Sequence, residues 1–447
     1  MSSGVPLSDL KNKLLSEFSA FETTLNGNAT DLRRNAVDQF DKLGFPTVRN
    51  EEWKYTNVSK YIDESWEQRT SKTPSKTSQV LENLRGFTLP GIVDAHKLVF
   101  CDGVFSPELS EIKADDSSIV LSSFSEAIKK HKDIIGKYHG TGLSSETNGL
   151  VSLNTAFGTE GAFIHILKNA KPKYPVHLFF IGGSMDEKFV NHIRNLVILE
   201  EGASLELIET WTSSGKNEYF NNVVIEIFAG ENTVLNHYRF QDEDMESARQ
   251  VNFTQITQQK NSLVNNFTIT TGGKLVRNDL QYKLDDVNCE SHMFGLYIGS
   301  GSQHIDNHTL VDHAMPQCFS NEFYKGIMAG QSAGVFNGKI IVRKDAQKTN
   351  AYQSNKNILL SDEAKINTKP QLEIFANDVK CSHGATTGQL DEEAMFYLRS
   401  RGIGAAEAKV MLTIAFAIDV LENIKPEAIK DYARTLVENK LNSLNTI

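Results

Sequence analysis

Hydrophobic residues recur along this chain with two different periods, and the changes of period divide it into three parts. Near the start they return every three or four residues, as at Leu10, Leu14 and Phe18, which predicts an amphipathic helix. Further helices are predicted over residues 31–43 and in the stretch before residue 160. We therefore expect residues 1–160 to form a mainly helical N-terminal domain.

From residue 161 the helical period gives way to short apolar runs that are separated by Gly, Asn and Asp. Gly202, Gly230 and Gly273 each open a turn that a strand follows. Turn-and-strand repeats at intervals of about 8–12 residues are typical of a β-sandwich or of a solenoid with stacked coils. The unbroken length of the tract favours the solenoid, and so do the helical segments at its ends, since exposed terminal coils need caps.

After residue 388 the helical period returns. A helix is predicted over residues 391–402, because its acidic first turn and basic last turn both suit the helix dipole. A second helix is predicted over residues 405–421 and a third from Pro426. The whole pattern predicts a mainly β fold with added α-helices, in which a β-helix core over residues 161–388 precedes a C-terminal helical domain over residues 389–447.

The composition, 40% hydrophobic and 23% charged, is that of a folded protein. A net charge of −10 gives no general positive surface for nucleic acid or anionic lipid. We expect a soluble chain, because no apolar run reaches the roughly 18–20 residues of a membrane span and the N-terminus lacks the order of a signal peptide. The same N-terminal pattern leads us to expect a cytoplasmic location, and four widely spaced cysteines without a Cys-x-x-Cys pair favour reduced thiols. Residues 70–78, rich in Ser, Thr and Lys, are predicted to be an exposed connection.

Common catalytic motifs are missing from the sequence. Gly334, Gly338 and Lys339 lack the spacing of a phosphate-binding loop, so we expect no nucleotide bound by this chain and no ATP hydrolysis by it. Neither Gly-x-Ser-x-Gly nor His-Glu-x-x-His occurs, which removes the simplest serine-hydrolase and zinc-protease interpretations.

One cluster of polar residues suggests two alternatives. His304, Asp306 and His308 alternate along one predicted strand and so share a face, and Asp312, His313 and Cys318 follow closely. They either bind a metal or point out of the β-helix wall and bond to neighbouring coils. The second alternative is favoured, because the three side chains stand in a row rather than around a point.

The pair Cys381 and His383 is a sharper candidate for metal chemistry. In an extended strand both side chains lie on one face, roughly 6.5–7 Å apart along it. One metal ion or cluster can bridge such a pair, but two protein ligands are too few for a closed site. Another chain, sulfide or water would have to complete it. The alternative, which spacing alone favours, is a buried cysteine and a hydrogen-bonded histidine.

Several segments resemble the SufB/SufD family. The resemblance is dense from about residue 301 to 403 and thinner before it. The segments that carry it include Asn307-His-Thr-Leu-Val-Asp-His313, Gly334-Val-Phe-Asn-Gly-Lys339, Asn367-Thr-Lys-Pro-Gln-Leu-Glu373, Asp378-Val-Lys-Cys-Ser-His-Gly-Ala385 and Gly388-Gln-Leu-Asp-Glu-Glu393, and Glu52-Trp-Lys-Tyr-Thr56 is similar to the family's N-terminal signature.

The resemblance implies a right-handed parallel β-helix in the system that assembles iron–sulfur clusters. It implies a scaffold subunit rather than an enzyme, which pairs with a SufB subunit through the β-helices and docks its C-terminal helices on the SufC ATPase. It also implies a nascent iron–sulfur cluster that is held transiently with SufB. His383 matches the family histidine placed at that subunit interface, and Cys381 is its neighbour in the motif.

Further expectations concern single positions. By the same resemblance Phe396, Tyr397, Arg399 and Arg401 contact SufC, whereas the ordinary alternative makes the aromatic residues core and the arginines helix caps. Where the SufB member carries a cysteine, this chain has Asn355 and lacks that thiolate.

Two rival functions stay open at this point. β-Helix folds also host polysaccharide lyases and hydrolases, for which Asp306 and Asp312 would be the candidates. The second rival is a purely structural homo-oligomer, because family members of this type can pair with themselves.

Overall fold

The computed structural model describes residues 7–24, 31–69, 94–185 and 187–444. The described helices are α1 Ser8–Thr24, α2 Asp31–Leu43, α3 Phe124–Lys130, α4 Lys132–Tyr138, α5 Gly149–Phe157, α6 Glu392–Ser400, α7 Ala405–Leu421 and α8 Glu427–Ser443. The strands before the long sheets are β1 Glu67–Gln68, β2 His96–Cys101, β3 Val104–Phe105 and β4 Ile119–Ser123. The exposed connection predicted over residues 70–78 lies outside the described residues.

Sixteen further strands follow in an unbroken series. Those with odd numbers are β5 Ala162–Ile166, β7 Phe189–Leu199, β9 Tyr219–Ala229, β11 Ala248–Gln258, β13 Leu275–Leu284, β15 His304–His313, β17 Ala333–Val342 and β19 Lys365–Ile374. Those with even numbers are β6 Val176–Gly182, β8 Ser204–Ser213, β10 Val234–Asp242, β12 Leu263–Thr270, β14 Glu290–Gly299, β16 Phe319–Met328, β18 Asn350–Leu359 and β20 Lys380–Gly388.

The chain winds these strands into a solenoid. Odd-numbered strands pair in parallel in one sheet and even-numbered strands in the other, so each coil contributes one strand to each sheet. Successive coils align closely in register, as Val234 of β10 lies opposite Leu263 of β12. The prediction of a parallel β-helix with helical segments on both sides is thereby confirmed.

Residue alternation and turn geometry explain why this sequence coils. Alternate side chains such as Val223, Ile225 and Ile227 point between the sheets and form the main hydrophobic core. The turns between odd and even strands repeatedly place Asn in the left-handed region, with φ of 58° at Asn232 and 57° at Asn261. In the turn predicted at Gly230, Asn232 and not the glycine therefore has the positive φ.

The helical segments lie along the sides of the solenoid. Helices α1, α2 and α5 pack on the outer face of the odd-numbered sheet, where Phe40 belongs to the same hydrophobic cluster as Val224 and Phe253. Helices α7 and α8 pack on the outer face of the even-numbered sheet, where Leu421 and Tyr238 share a cluster. The expectation that helices cap both ends is wrong, because each sheet has an apolar outer face that the helices bury.

The first coils are closed by short strands instead. β4 pairs antiparallel with β5, and β2 pairs with β6 and with β3. Part of the predicted N-terminal helical domain therefore extends the two sheets, and the division of the chain at residues 160 and 388 stays a prediction. Within the described ranges, no helix has both the length and the apolar character needed to cross a membrane.

Candidate functional site

Among the residues that the structure describes, nothing pairs with the outer edge of the last coil, which is therefore called the open edge. β20 pairs with β18, and β19 pairs with β17, at the end of each sheet order. Most side chains of β20 are exposed, in contrast to the buried strands of the middle coils. An edge of this kind presents unpaired backbone N–H and C=O groups, which can pair with a strand of another chain.

Cys381 and His383 lie on this last strand, two residues apart, and so share a face as the spacing predicted. Cys381 is half-buried and packs against the core between the sheets. Burial raises the pKa of its thiol. His383 is exposed, so its imidazole is accessible at the open end of the solenoid. Their roles as cluster ligands stay predictions.

Behind His383 lies a column of polar side chains that the sequence analysis missed. Glu322 of β16 pairs in register with Gln353 of β18, which pairs with His383 of β20. Glu322 is completely buried, and Gln353 is 3% exposed. Burial raises the pKa of the Glu322 carboxyl to about 7, although hydrogen bonds from Thr309 and Gln353 act to lower it. The only feature of the sequence that could have revealed this column is the separation of Glu322, Gln353 and His383 by about one coil length each.

The cluster of His304, Asp306 and His308 lies on the outer face of β15 and binds other parts of this chain. Thr56 Oγ1 is 2.8 Å from His304 Nε2, and Arg277 Nη1 donates to Asp306 Oδ2 at 2.7 Å. His308 Nε2 lies 3.0 Å from Asp306 Oδ1. In the described parts of the chain, no three His, Cys, Asp or Glu side chains are arranged to hold a metal ion. The contact of Asp306 with Arg277 on the neighbouring coil is of the kind that the favoured alternative predicts, in which these side chains bond to other parts of the chain.

Comparison with known proteins identifies the family. A family model for the N-terminal region of SufBD proteins matches residues 11–178, and the model described as "SUF system FeS cluster assembly, SufBD core domain" matches residues 180–416. The chain belongs to the SufBD family. It is therefore an iron–sulfur cluster assembly protein, which favours this function over polysaccharide cleavage.

Named relatives of this SufBD protein span nearly its whole length. An iron–sulfur cluster assembly SufBD family protein of Synechocystis is 33% identical over 96% of this chain and 95% of its own. The iron–sulfur cluster assembly protein SufD of Escherichia coli is 29% identical over 91% of each chain. SufD of Bacillus subtilis is 23% identical over 92% of this chain and 93% of its own.

The family's N-terminal signature has a structural role in this SufBD protein. Arg277, buried on β13, lies 3.8 Å from the centre of the Trp53 ring and donates to the carbonyl oxygen of Glu52 at 2.8 Å. Although burial opposes it, the charges of His308 and Arg277 hold the pKa of Asp306 far below its usual range. Because that pKa is depressed on folding, the stabilisation is present above pH about 4 and is lost as the pH falls toward the folded value.

Removal of the Arg277 side chain tests whether its contacts with Trp53, Glu52 and Asp306 stabilise the fold. We expect Arg277→Ala to lower the free energy of unfolding by about 3–5 kcal/mol, because it leaves the buried carboxylate of Asp306 without one of its two cationic partners. Chemical denaturation measures the change. The control is Arg343→Ala, since Arg343 pairs with Asp312 at 2.9 Å but is 53% exposed, and we expect a loss below about 1 kcal/mol. Equal losses of unfolding free energy in the two variants would contradict this stabilising role of Arg277.

Helix α6 of this SufBD protein has no buried residue. Asp391 caps its first turn, accepting a hydrogen bond from the backbone N–H of Glu393 at 2.8 Å. Phe396 is 75% exposed and Tyr397 57% exposed, so the alternative that they belong to the core is wrong. Arg399 and Arg401 are exposed beside them, and the Arg401 guanidinium lies 5.2 Å from the Tyr397 ring centre. Exposed aromatic and arginine side chains are enriched in protein interfaces.

Proposed function

We propose that this chain is a SufD-type scaffold subunit, which pairs with a SufB subunit through the open edge of its last coil. The observation that carries the proposal is the exposed strand β20, which presents His383 and an unpaired backbone edge together. Addition of a partner strand satisfies such an edge and fixes the position of the side chains on it. The chain itself would have no catalytic activity.

A nascent iron–sulfur cluster is the cargo in this proposal. His383 supplies an imidazole nitrogen and Cys381 a thiolate, and the SufB subunit supplies the remaining ligands, because two are too few for a closed site. The cysteine of the SufB pattern is replaced here by Asn355, which is buried and donates to the Tyr297 hydroxyl at 3.3 Å. The cluster would be shared only transiently, since one side of the site belongs to another chain.

We further propose that the C-terminal helices dock on the SufC ATPase through Phe396, Tyr397, Arg399 and Arg401. ATP hydrolysis then belongs to SufC, and this chain responds to it. Lys325 of β16 supports such a response, because its Nζ donates to the Phe416 carbonyl oxygen at 2.7 Å and contacts Asp419 Oδ2 at 2.6 Å. Helix α7 is thereby joined to the wall of the solenoid. The four free cysteines support a reducing, cytoplasmic location.

The proposed contact with SufC predicts the effect of one substitution. We expect Phe396→Ser to weaken co-purification with SufC at least about tenfold, because a largely exposed aromatic residue at an interface acts as an anchor. The control is Ile112→Ser, which replaces another hydrophobic residue that is 47% exposed, far from α6 in the sequence. Equal binding of SufC by the two variants would remove Phe396 from the interface.

Co-expression with SufB and SufC tests the whole proposal. A stable complex of the three proteins that assembles clusters supports the scaffold function. In isolation the same open edge is available to a second copy of this chain, so a homodimer that SufB displaces also fits. A homodimer that SufB cannot displace would support the structural homo-oligomer instead.

A further inference from the structure

The interior of the last three even-numbered strands holds polar side chains where a hydrophobic core is the rule. Met293 of β14 is followed, at the same position of successive coils, by Glu322, Gln353 and His383. Met293 is completely buried and belongs to the hydrophobic core. The polar column therefore has an apolar floor at Met293 and an open end at His383.

Hydrogen bonds satisfy only half of the Glu322 carboxyl group. The Thr309 hydroxyl donates to Oε2 at 2.5 Å, and the Gln353 amide donates to the same oxygen at 3.1 Å. The other oxygen, Oε1, is buried and receives no hydrogen bond from the described residues. The amide oxygen of Gln353 is buried and unpartnered in the same sense, and so is the hydroxyl of Thr368 on β19. Buried oxygen atoms of this kind normally have a partner.

A second buried glutamate shows what a purely structural carboxyl group looks like in this fold. Burial also raises the pKa of Glu243 to about 7, but both of its oxygens accept hydrogen bonds, from the Tyr219 hydroxyl at 2.9 Å and the Gln241 amide at 2.7 Å. Glu322 has the same burial with one oxygen left over. No Lys, Arg or His among the described residues forms an ion pair with Glu322, so an ionised Glu322 lacks a countercharge.

Gln353 separates this carboxyl group from the open end of the solenoid. In the register of the even-numbered sheet, Gln353 is the one residue between Glu322 and the exposed His383. Its amide reaches across the core toward β17, where a side chain in place of the hydrogen atom of Gly338 would collide with it. The glycine thus provides the space that this amide occupies.

We propose that Glu322 and Gln353 form a binding site for a divalent cation of the Mn²⁺ or Fe²⁺ type inside the end of the solenoid. The Glu322 carboxylate and the Gln353 amide oxygen supply ligands of the type that such cations take, and His383 stands at the entrance. The cation supplies the countercharge that the buried carboxylate lacks. The site lies within one chain and exists without SufB, so it goes beyond the proposed function.

The test is a titration of the isolated full-length chain, without a histidine tag, with Mn²⁺. Free Mn²⁺ is measured by its electron paramagnetic resonance signal. We expect the wild type to bind Mn²⁺ and Glu322→Gln to bind it at least about tenfold more weakly, because the substitution removes the charged ligand. Glu243→Gln is the matched control and is expected to bind Mn²⁺ like the wild type, since Glu243 has no unpartnered oxygen.

A second variant protects the test against misfolding. Gln353→Leu removes the amide oxygen while it leaves Glu322 in place, and we expect it also to weaken Mn²⁺ binding. Circular dichroism shows whether each variant keeps the β-rich fold. Absence of Mn²⁺ binding by the wild type, or equal affinity in wild type, Glu322→Gln and Gln353→Leu, would overturn the proposal. Because SufB takes no part in this measurement, its result is independent of whether the two subunits pair.

Discussion

Replacement of His383 by alanine is expected to abolish cluster assembly by the complex of this chain with SufB and SufC, while the complex still forms. The imidazole is exposed at the open edge, so its loss should leave the packing of the described residues undisturbed. A substitution to alanine keeps the backbone N–H and C=O groups of β20 that a partner strand would bind. The effect should therefore fall on the cluster and not on association.

Reconstitution with iron and sulfide, followed by absorbance of the assembled cluster, measures this prediction. Size-exclusion chromatography of the same sample shows whether the complex is intact. The matched control is His292→Ala, because His292 lies on the even-numbered sheet two coils earlier than β18 and bonds to Glu290 at 2.7 Å. Normal assembly by His383→Ala would remove this residue from the site.

Ala385→Pro is expected to have a different effect from His383→Ala, because it should prevent the complex with SufB from forming. The Lys380 N–H donates to the Thr349 carbonyl oxygen at 2.9 Å, toward β18. Because N–H groups alternate in direction along a strand, that of Ala385 points away from β18, to the open edge. Ala385→Pro removes this donor from the edge, where proline leaves the pairing with β18 intact.

Co-purification with SufB measures the loss of association. Ala385→Val is the control, because valine keeps the N–H group and favours the extended backbone, so we expect it to bind SufB as the wild type does. Both proteins should retain the circular dichroism of the solenoid. If the proline variant still co-purifies with SufB, association does not use this edge, and the proposed seam is wrong.

The strands and helices of this fold could be predicted from the sequence, but the way in which they pack against one another could not. Apolar periods of two and of three to four residues separate strands from helices because they follow directly from backbone geometry. They do not show which surface a helix covers. Val224 and Phe253, outward-facing residues of β9 and β11, are as apolar as the inward-facing ones, and this second apolar face attracts the N-terminal helices.

The candidate site was predictable only in part for a related reason. Cys381 and His383 are neighbours in one strand, so strand geometry alone places them on one face. Glu322 and Gln353 join them through coil lengths of 31 and 30 residues, whereas the preceding coil, from Met293 to Glu322, has 29. Since turns absorb these differences without a clear pattern in the sequence, the alignment of the column emerges only once the coils are stacked.

The position of helices α7 and α8 along the wall has a mechanical consequence. They pack on residues of β8 to β16, such as Ile208 and Ile327, and on Leu360 directly after β18, whereas β20 lies beyond this cluster. With strands about 4.8 Å apart, the open edge extends about 5 Å past the last coil that the helices contact. A stack of hydrogen-bonded strands resists bending, so a tilt imposed on the helices would be carried to the free edge at β20.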